Sequence, residues 1–134
     1  MALTRIESEI AEINNSAENI YNNLSDFNNF GKLMPAQVTE WTSTSDECSF
    51  NIKGMATIGM KIIEKTPYSK ITISSNGKVP FAFQLFILIT KKDENNCVGQ
   101  LVFESDLNPM LKMMVVKPLT NFFNMLAHKM KSIK

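Results

Sequence analysis

The sequence predicts an α+β domain in which a strongly curved antiparallel sheet of about seven strands wraps around a long C-terminal helix. Two patterns predict it. Short stretches in which apolar and polar residues alternate follow one another over residues 37–107, separated by turn signals typical of hairpins. Over residues 108–134, apolar residues recur three and four positions apart, as on one face of a helix. The apolar sheet face needs a cover, and only this helix is long enough to supply it.

The size and charge of the chain limit its functions. A chain of 134 residues is expected to form one domain, residues 1–134, with a single core. Its formal net charge of +1 favours neither nucleic acid nor a membrane as a partner. The first 13 residues contain Arg5 and Glu7 and no apolar stretch resembling a signal peptide. The sequence therefore predicts a cytoplasmic protein without stable membrane insertion.

The chain is expected to begin with one strand over residues 3–13. Strict alternation then places Ile6, Ser8 and Ile10 on the face that points to the core. Two short helices follow, because Ser16 and Asp26 are residues that cap helix N-termini. We expect the order strand, two helices, six strands and one long helix.

The six strands are separated by residues that favour turns. Alternation over residues 48–52 is expected to end at Gly54, and Asn76-Gly77 is the strongest turn signal in the chain. From Phe81 to Ile89 every second residue is apolar, which predicts the most deeply buried strand face.

Pro118 is expected to interrupt the C-terminal helix. Proline cannot donate to the carbonyl four residues before it, and its ring collides with that turn. Asn108 and Pro109 suit the cap and first position of a helix, and Pro118 suits the first position of another. The sequence predicts a short helix over residues 109–116 and the main helix over residues 118–132.

This order of elements resembles the helix-grip superfamily, which includes START lipid-transfer domains, pollen allergens and polyketide cyclase-like proteins (the SRPBCC group). The resemblance rests on residues 15–21 leading into residues 24–27, on Leu33-Met34-Pro35, on residues 60–73 with their central Thr66-Pro67, and on the last helix. It implies a helix-grip fold and a ligand cavity between sheet and helix. It carries no catalytic motif.

The preferred hypothesis is a carrier or sensor that binds a small apolar molecule in that cavity. Such pockets typically measure about 300–1,000 Å³. Alternation and helical spacing nominate these ligand-binding residues: Ile10, Phe50, Ile52, Met60, Ile62, Ile73, Phe83, Leu85, Leu101, Phe103, Leu119, Phe122 and Leu126. The alternative for the same positions is that Phe and Met side chains fill the space themselves.

Two other functions compete with this hypothesis. A polyketide cyclase-like enzyme would need a polar group such as Glu64 or Ser105 inside the pocket. An interaction module with a filled core could use the outer sheet face, where Phe86 and Leu88 are unusually apolar, and a homodimer over that face is its simplest form.

The sequence offers little for catalysis, which disfavours an enzyme but leaves the cyclase-like alternative open, and we expect no cofactor or metal. His128, the single histidine, falls opposite the apolar stripe of the last helix and is expected to be solvated. Ser8 and Ser105 are expected to be satisfied by nearby backbone. Cys48 and Cys97 lack metal-ligand spacing and are expected to be reduced thiols.

The C-terminal segment is basic. Five lysines and no acid follow Asp106. They indicate contact with an anionic membrane or an acidic partner. Alternatively, they only interact favourably with the negative end of the helix dipole at the C-terminus. Four methionines around this helix, Met110, Met113, Met114 and Met125, are expected either to line a cavity entrance or to fill core gaps.

Overall fold

The fold was obtained as a computed structural model that describes residues 3–53, 56–77 and 79–133. The strands are β1 (Thr4–Glu7), β2 (Ala11–Ile13), β3 (Val38–Ser43), β4 (Glu47–Ile52), β5 (Ala56–Thr66), β6 (Lys70–Ser75), β7 (Gln84–Asp93) and β8 (Asn96–Ser105). The helices are α1 (Ala17–Leu24), α2 (Phe27–Phe30), a 3₁₀ turn (Gly31–Leu33) and α3 (Pro109–Met130). The expected strand end at Gly54 and the last lysine, Lys134, lie outside the described residues.

The strands form one curved antiparallel sheet in the order β1-β8-β7-β6-β5-β4-β3, and β2 also pairs with β8. Strands β3 to β8 form a meander, because each pairs with the next one along the chain. Strands β1 and β2, although first in the chain, both pair antiparallel with the last strand, β8. Helix α3 lies against β1, β2 and β8. This arrangement confirms the predicted fold class.

The two short helices begin at the predicted caps. The Ser16 hydroxyl accepts a hydrogen bond of 3.1 Å from the Asn19 amide, and the Asp26 carboxylate accepts one of 2.8 Å from the Asn28 amide. These bonds satisfy amides that have no partner inside a helix. The buried side chains of Ile20, Leu24 and others then tie α1 to the core.

The first strand is broken, and the prediction of one strand over residues 3–13 is wrong. Glu7 pairs with Val102 and Ala11 with Gly99, so three residues intervene on the first strand where two intervene on β8. One extra residue in a ladder is a β-bulge, and it reverses the parity of the residues after it. Ile10 is therefore 62% exposed and does not face the core as expected.

Two further bulges change which residues face inward. Between β3 and β4 the register shifts between Thr39 and Thr42, and Glu40 takes a positive φ of 55°. Trp41 is thereby half-buried, with its ring 5.3 Å from that of Phe50. A second shift between Ile62 and Glu64 leaves the Glu64 carboxylate exposed.

Helix α3 continues through Pro118, so the predicted interruption is wrong. The start is as expected: the Asn108 side chain accepts a hydrogen bond of 2.9 Å from the Leu111 amide, and Pro109 occupies the first turn. Pro118 lies on the exposed side of α3 together with Met114, whose carbonyl loses its amide partner. The opposite side stays packed on the sheet through Leu119 and its buried neighbours, which keeps the two halves in one helix.

Side chains of α3 and β2 pack directly over Gly99 of β8. A Cβ at this position would lie 2.6 Å from the terminal methyl carbon of Met130 and 3.2 Å from the δ-carbon of Ile13. A larger residue here would require the Met130 side chain to move. Among the described residues, no helix is both long and apolar enough to cross a bilayer.

Candidate ligand-binding site

The space between the sheet and α3 is almost filled. An inner cavity of about 30 Å³ remains, enough for roughly one or two water molecules. Its lining is entirely apolar, with contributions from the 3₁₀ turn region, the sheet and α3: Met34, Phe50, Ile52, Ile58, Met60, Phe81, Phe83, Leu85, Phe103, Leu119, Phe122, Phe123 and Leu126.

A cluster of aromatic rings occupies the volume. The ring centroid of Phe103 lies 5.4 Å from that of Phe83, 5.5 Å from that of Phe123 and 6.2 Å from that of Phe81. Phe122 extends the cluster, 5.6 Å from Phe123. Because these rings fill the space, the remaining cavity volume is much smaller than the 300–1,000 Å³ typical of ligand pockets.

An outer groove of about 500 Å³ lies directly beside the inner cavity. It runs between α3, the end of β4 and the segment before β7, and it is lined by Gln37, Ile52, Lys53, Pro80, Phe81, Leu111, Met114, Val115, Pro118, Leu119, Asn121 and Phe122. Ile52, Phe81, Leu119 and Phe122 line both spaces. The groove and the inner cavity are therefore neighbours across these four apolar side chains.

The groove has a small polar rim. Gln37, Lys53 and Asn121 supply it, and no carboxylate is among the described residues that line the groove. The side-chain amide of Gln37 donates to the sulfur of Met125 at 3.7 Å. An apolar floor with one cationic and two amide side chains at the edge suits a molecule that has a single polar end.

The predicted site residues divide into three groups. Nine line the inner cavity: Phe50, Ile52, Met60, Phe83, Leu85, Phe103, Leu119, Phe122 and Leu126. Ile62, Ile73 and Leu101 are buried elsewhere in the core. Ile10 is on the surface because of the bulge.

Four lining residues were missed. Ile58 and Phe81 share the parity of Met60 and Phe83, so alternation could have found them. Phe123 lies four positions after Leu119 and three before Leu126, so helical spacing could also have found it. Met34 has no such signal, because it reaches the cavity through the position of the 3₁₀ turn.

The polar groups near the sheet interior serve the backbone. The Ser8 hydroxyl donates to the Glu9 carbonyl and accepts from the Leu101 amide, both at 2.9 Å. The Ser105 hydroxyl donates to the Ala82 carbonyl at 2.6 Å. The expectation of backbone-satisfied serines is confirmed, and neither hydroxyl lines the inner cavity.

Titratable groups lie away from the cavity. The His128 side chain is 64% exposed, and its Nε2 lies 3.6 Å from the Glu9 carboxylate. His128 is solvated, as expected. Within residues 3–53, 56–77 and 79–133, no three His, Cys, Asp or Glu side chains cluster as metal ligands would.

Both cysteines are buried free thiols. Loss of solvation raises the pKa of Cys48 from 9.0 to about 12 and also raises the pKa of Cys97.

Above about pH 9 the unfolded chain ionises at Cys48 while the folded chain does not, so stability falls with rising pH. We expect the loss to reach about 1.4 kcal/mol per pH unit at most. Urea titrations at several pH values, with Cys48→Ala as control, test this: equal slopes for both proteins would contradict it.

Comparison with solved structures identifies the architecture. The XoxI protein from Bacillus cereus matches with a TM-score of 0.76 at 14% identity, covering 98% of this chain and 94% of that one. A START superfamily protein from Mycobacterium smegmatis matches with a TM-score of 0.70 at 14% identity, covering 97% and 94%. The chain has the helix-grip fold.

A third helix-grip structure is an enzyme with bound molecules. Norcoclaurine synthase from Thalictrum flavum, in complex with dopamine and hydroxybenzaldehyde, matches with a TM-score of 0.73 at 14% identity, covering 98% of this chain and 86% of that one. No protein-family model and no curated protein matches the sequence. At this identity the helix-grip likeness concerns the fold alone.

Proposed function

We propose that the protein binds a small apolar molecule, with the outer groove as the entrance and the space between sheet and α3 as the destination of its apolar part. The observation that carries the proposal is the shared lining: Ile52, Phe81, Leu119 and Phe122 border both the groove and the inner cavity. A helix-grip protein solved with dopamine and hydroxybenzaldehyde supports binding of small ring compounds within this fold.

Phe81 is the side chain that a ligand would displace. It precedes β7 in a segment without regular structure, and the ring borders the groove, the inner cavity and a second surface hollow of about 830 Å³. Its backbone is outside the sheet ladder, so a rotation of Phe81 breaks no strand pairing. Movement of this ring towards the surface joins groove and cavity into one pocket.

The energetic balance favours modest affinity. A ligand burying about 300 Å² of apolar surface gains about 7 kcal/mol at 25 cal/mol per Å². Association and ordering cost several kcal/mol, and displaced aromatic rings lose their contacts. We therefore expect micromolar or weaker binding, with the polar end of the ligand at the Gln37, Lys53 and Asn121 rim.

Leu119→Trp is expected to block binding. Leu119 is 5% exposed and borders both spaces, so an indole there occupies the passage. The fluorescence of N-phenyl-1-naphthylamine, a neutral apolar probe, should rise with the parent protein at micromolar concentration, and the variant should bind at least about tenfold more weakly. Leu88→Trp is the matched control on the outer sheet face, and it should bind like the parent.

Native mass spectrometry of the parent and thermal unfolding of both variants complete the test. A retained small molecule supports the proposal. A folded parent protein that retains nothing and does not raise the probe fluorescence would contradict it.

The filled interior favours a second candidate, an interaction module without a ligand. In that case Leu126→Trp, a change of a 1% exposed side chain beside a cavity of about 30 Å³, overpacks the core. Its cost should be about 1–3 kcal/mol. If a ligand pocket opens instead, the ring enters it, probe binding is lost and stability changes little.

A further inference from the structure

The most exposed large apolar side chains of the described residues lie in the first half of α3. Met110 is 73% exposed, Met113 87% and Met114 64%. We call these three residues the methionine surface. Methionines that filled core gaps would be buried. These three are exposed, so they do not contribute to packing of the core.

The methionine surface is one continuous face. Positions three and four apart lie on the same side of a helix, which places Met110 beside both Met113 and Met114. Lys117 follows Met113 by four positions and Met114 by three, so its ammonium group extends the same face. Val115, at the start of the buried stripe, points the other way.

Positive charge predominates around the first half of α3. Lys112 and Lys117 are exposed and α3 itself contains no acid, while Asp106, just before the helix, lines the same surface hollow as Lys112. A second copy of the same face would bring lysine against lysine, which opposes self-association through it. An anionic surface is the electrostatic complement.

The shape of the region suits a lipid surface better than a folded protein partner. Met113, at 87% exposure, projects from a helix and is not recessed in a groove that could receive a partner's side chain. Unbranched methionine side chains can insert among lipid headgroups, while lysines beside them reach the phosphates.

We propose that the methionine surface, with Lys117 on the same face and Lys112 exposed at the same end of α3, docks the protein reversibly on an anionic lipid bilayer. Met114 also lines the outer groove, so docking brings the groove mouth to the bilayer surface. Helix α3 stays packed on the sheet, and only the exposed side chains enter the headgroup region. The docking is independent of whether the groove binds a ligand.

Vesicle flotation tests this directly. The parent protein should float with vesicles containing about 30% phosphatidylglycerol in phosphatidylcholine at low ionic strength. It should float much less with pure phosphatidylcholine, and less again as salt screens the lysines.

Two variants separate the apolar and charged contributions. Met110→Gln with Met113→Gln and Met114→Gln removes the apolar side chains and keeps helix propensity, and Lys112→Gln with Lys117→Gln removes the charges. Each should lower the bound fraction at least about fivefold, because both contributions are needed for stable attachment.

Matched controls carry the same chemical changes elsewhere. Lys91→Gln with Lys92→Gln removes two exposed lysines at the β7–β8 turn, and Ile10→Gln with Ile63→Gln removes two exposed apolar side chains. Both controls should float like the parent. Circular dichroism confirms that every variant is folded.

Three results would overturn the proposal. They are an absence of parent protein from phosphatidylglycerol vesicles, equal losses in the control variants, and unchanged flotation after the methionine substitutions. Capture of the parent by an immobilised acidic amphipathic peptide, without vesicle binding, would assign the surface to a protein partner instead.

Discussion

Phe103→Ala is expected to lower the free energy of unfolding by about 3–5 kcal/mol. Phe103 is 2% exposed, and its ring lies within 5.4–6.2 Å of the rings of Phe81, Phe83 and Phe123. Truncation removes buried area and leaves a void that the surrounding β-strands cannot close. Urea unfolding followed by circular dichroism measures the loss, and the midpoint should fall without a change of slope.

Phe86→Ala is the matched control. Phe86 is half-buried on the outer face of β7, where Lys70 Nζ lies 4.9 Å from its ring centroid. We expect a cost of about 1 kcal/mol there, from one weak cation–π contact and partial burial. Similar costs at both positions would show that the aromatic cluster is not the centre of the core. The void at Phe103 should also increase probe binding, since it enlarges the inner cavity.

Pro118→Ala is expected to raise the free energy of unfolding by about 2 kcal/mol. A proline inside a helix costs about 3 kcal/mol relative to alanine, and the more flexible unfolded chain of the variant takes back up to about 1 kcal/mol. The new amide at residue 118 can donate to the Met114 carbonyl across an unbroken α3. Because Pro118 is exposed, the substitution removes little packing.

Pro109→Ala is the control for this prediction. Pro109 occupies the first turn of α3, where the amide has no helical acceptor, so alanine should change stability by less than about 0.5 kcal/mol. Thermal unfolding of both variants decides the question. If Pro118→Ala were neutral or destabilising, α3 would be adapted to the proline by a local distortion of the helix.

Much of the fold was predictable because local chemistry and the fold agree. Asn76-Gly77 lies in the turn after β6, Ser16 and Asp26 cap their helices, and Asn108 with Pro109 starts α3. The alternation of β4 and β7 placed the correct residues inside, and nine of the predicted site residues line the inner cavity. Each of these features depends on a few residues that are close together in the chain, so the sequence alone is enough to predict it.

The errors in residue placement came from β-bulges. Strict alternation placed Ile10 inward, and one extra residue in its strand reversed the parity. A similar shift in β5 leaves Glu64, which only the enzyme alternative required inside, on the surface. A bulge is a property of two paired strands, because the extra residue exists only relative to the register of the partner. The pattern of one strand does not reveal it. The error at Pro118 is of the same kind, since packing of the distant half of α3 on the sheet outweighs a local helix-breaking preference.

The sequence by itself determined the class of the protein: a curved antiparallel sheet covered by a C-terminal helix, an apolar interior and a basic final segment. Only the tertiary structure decided that Phe81, Phe83, Phe103 and Phe123 converge and leave about 30 Å³ between them, with a groove of about 500 Å³ outside. The physical reason is that alternation specifies which side chains point inward, whereas the free volume depends on how far apart the facing elements lie and how the rings interlock. The same holds for the methionine surface, whose exposure depends on which side of α3 packs on the sheet.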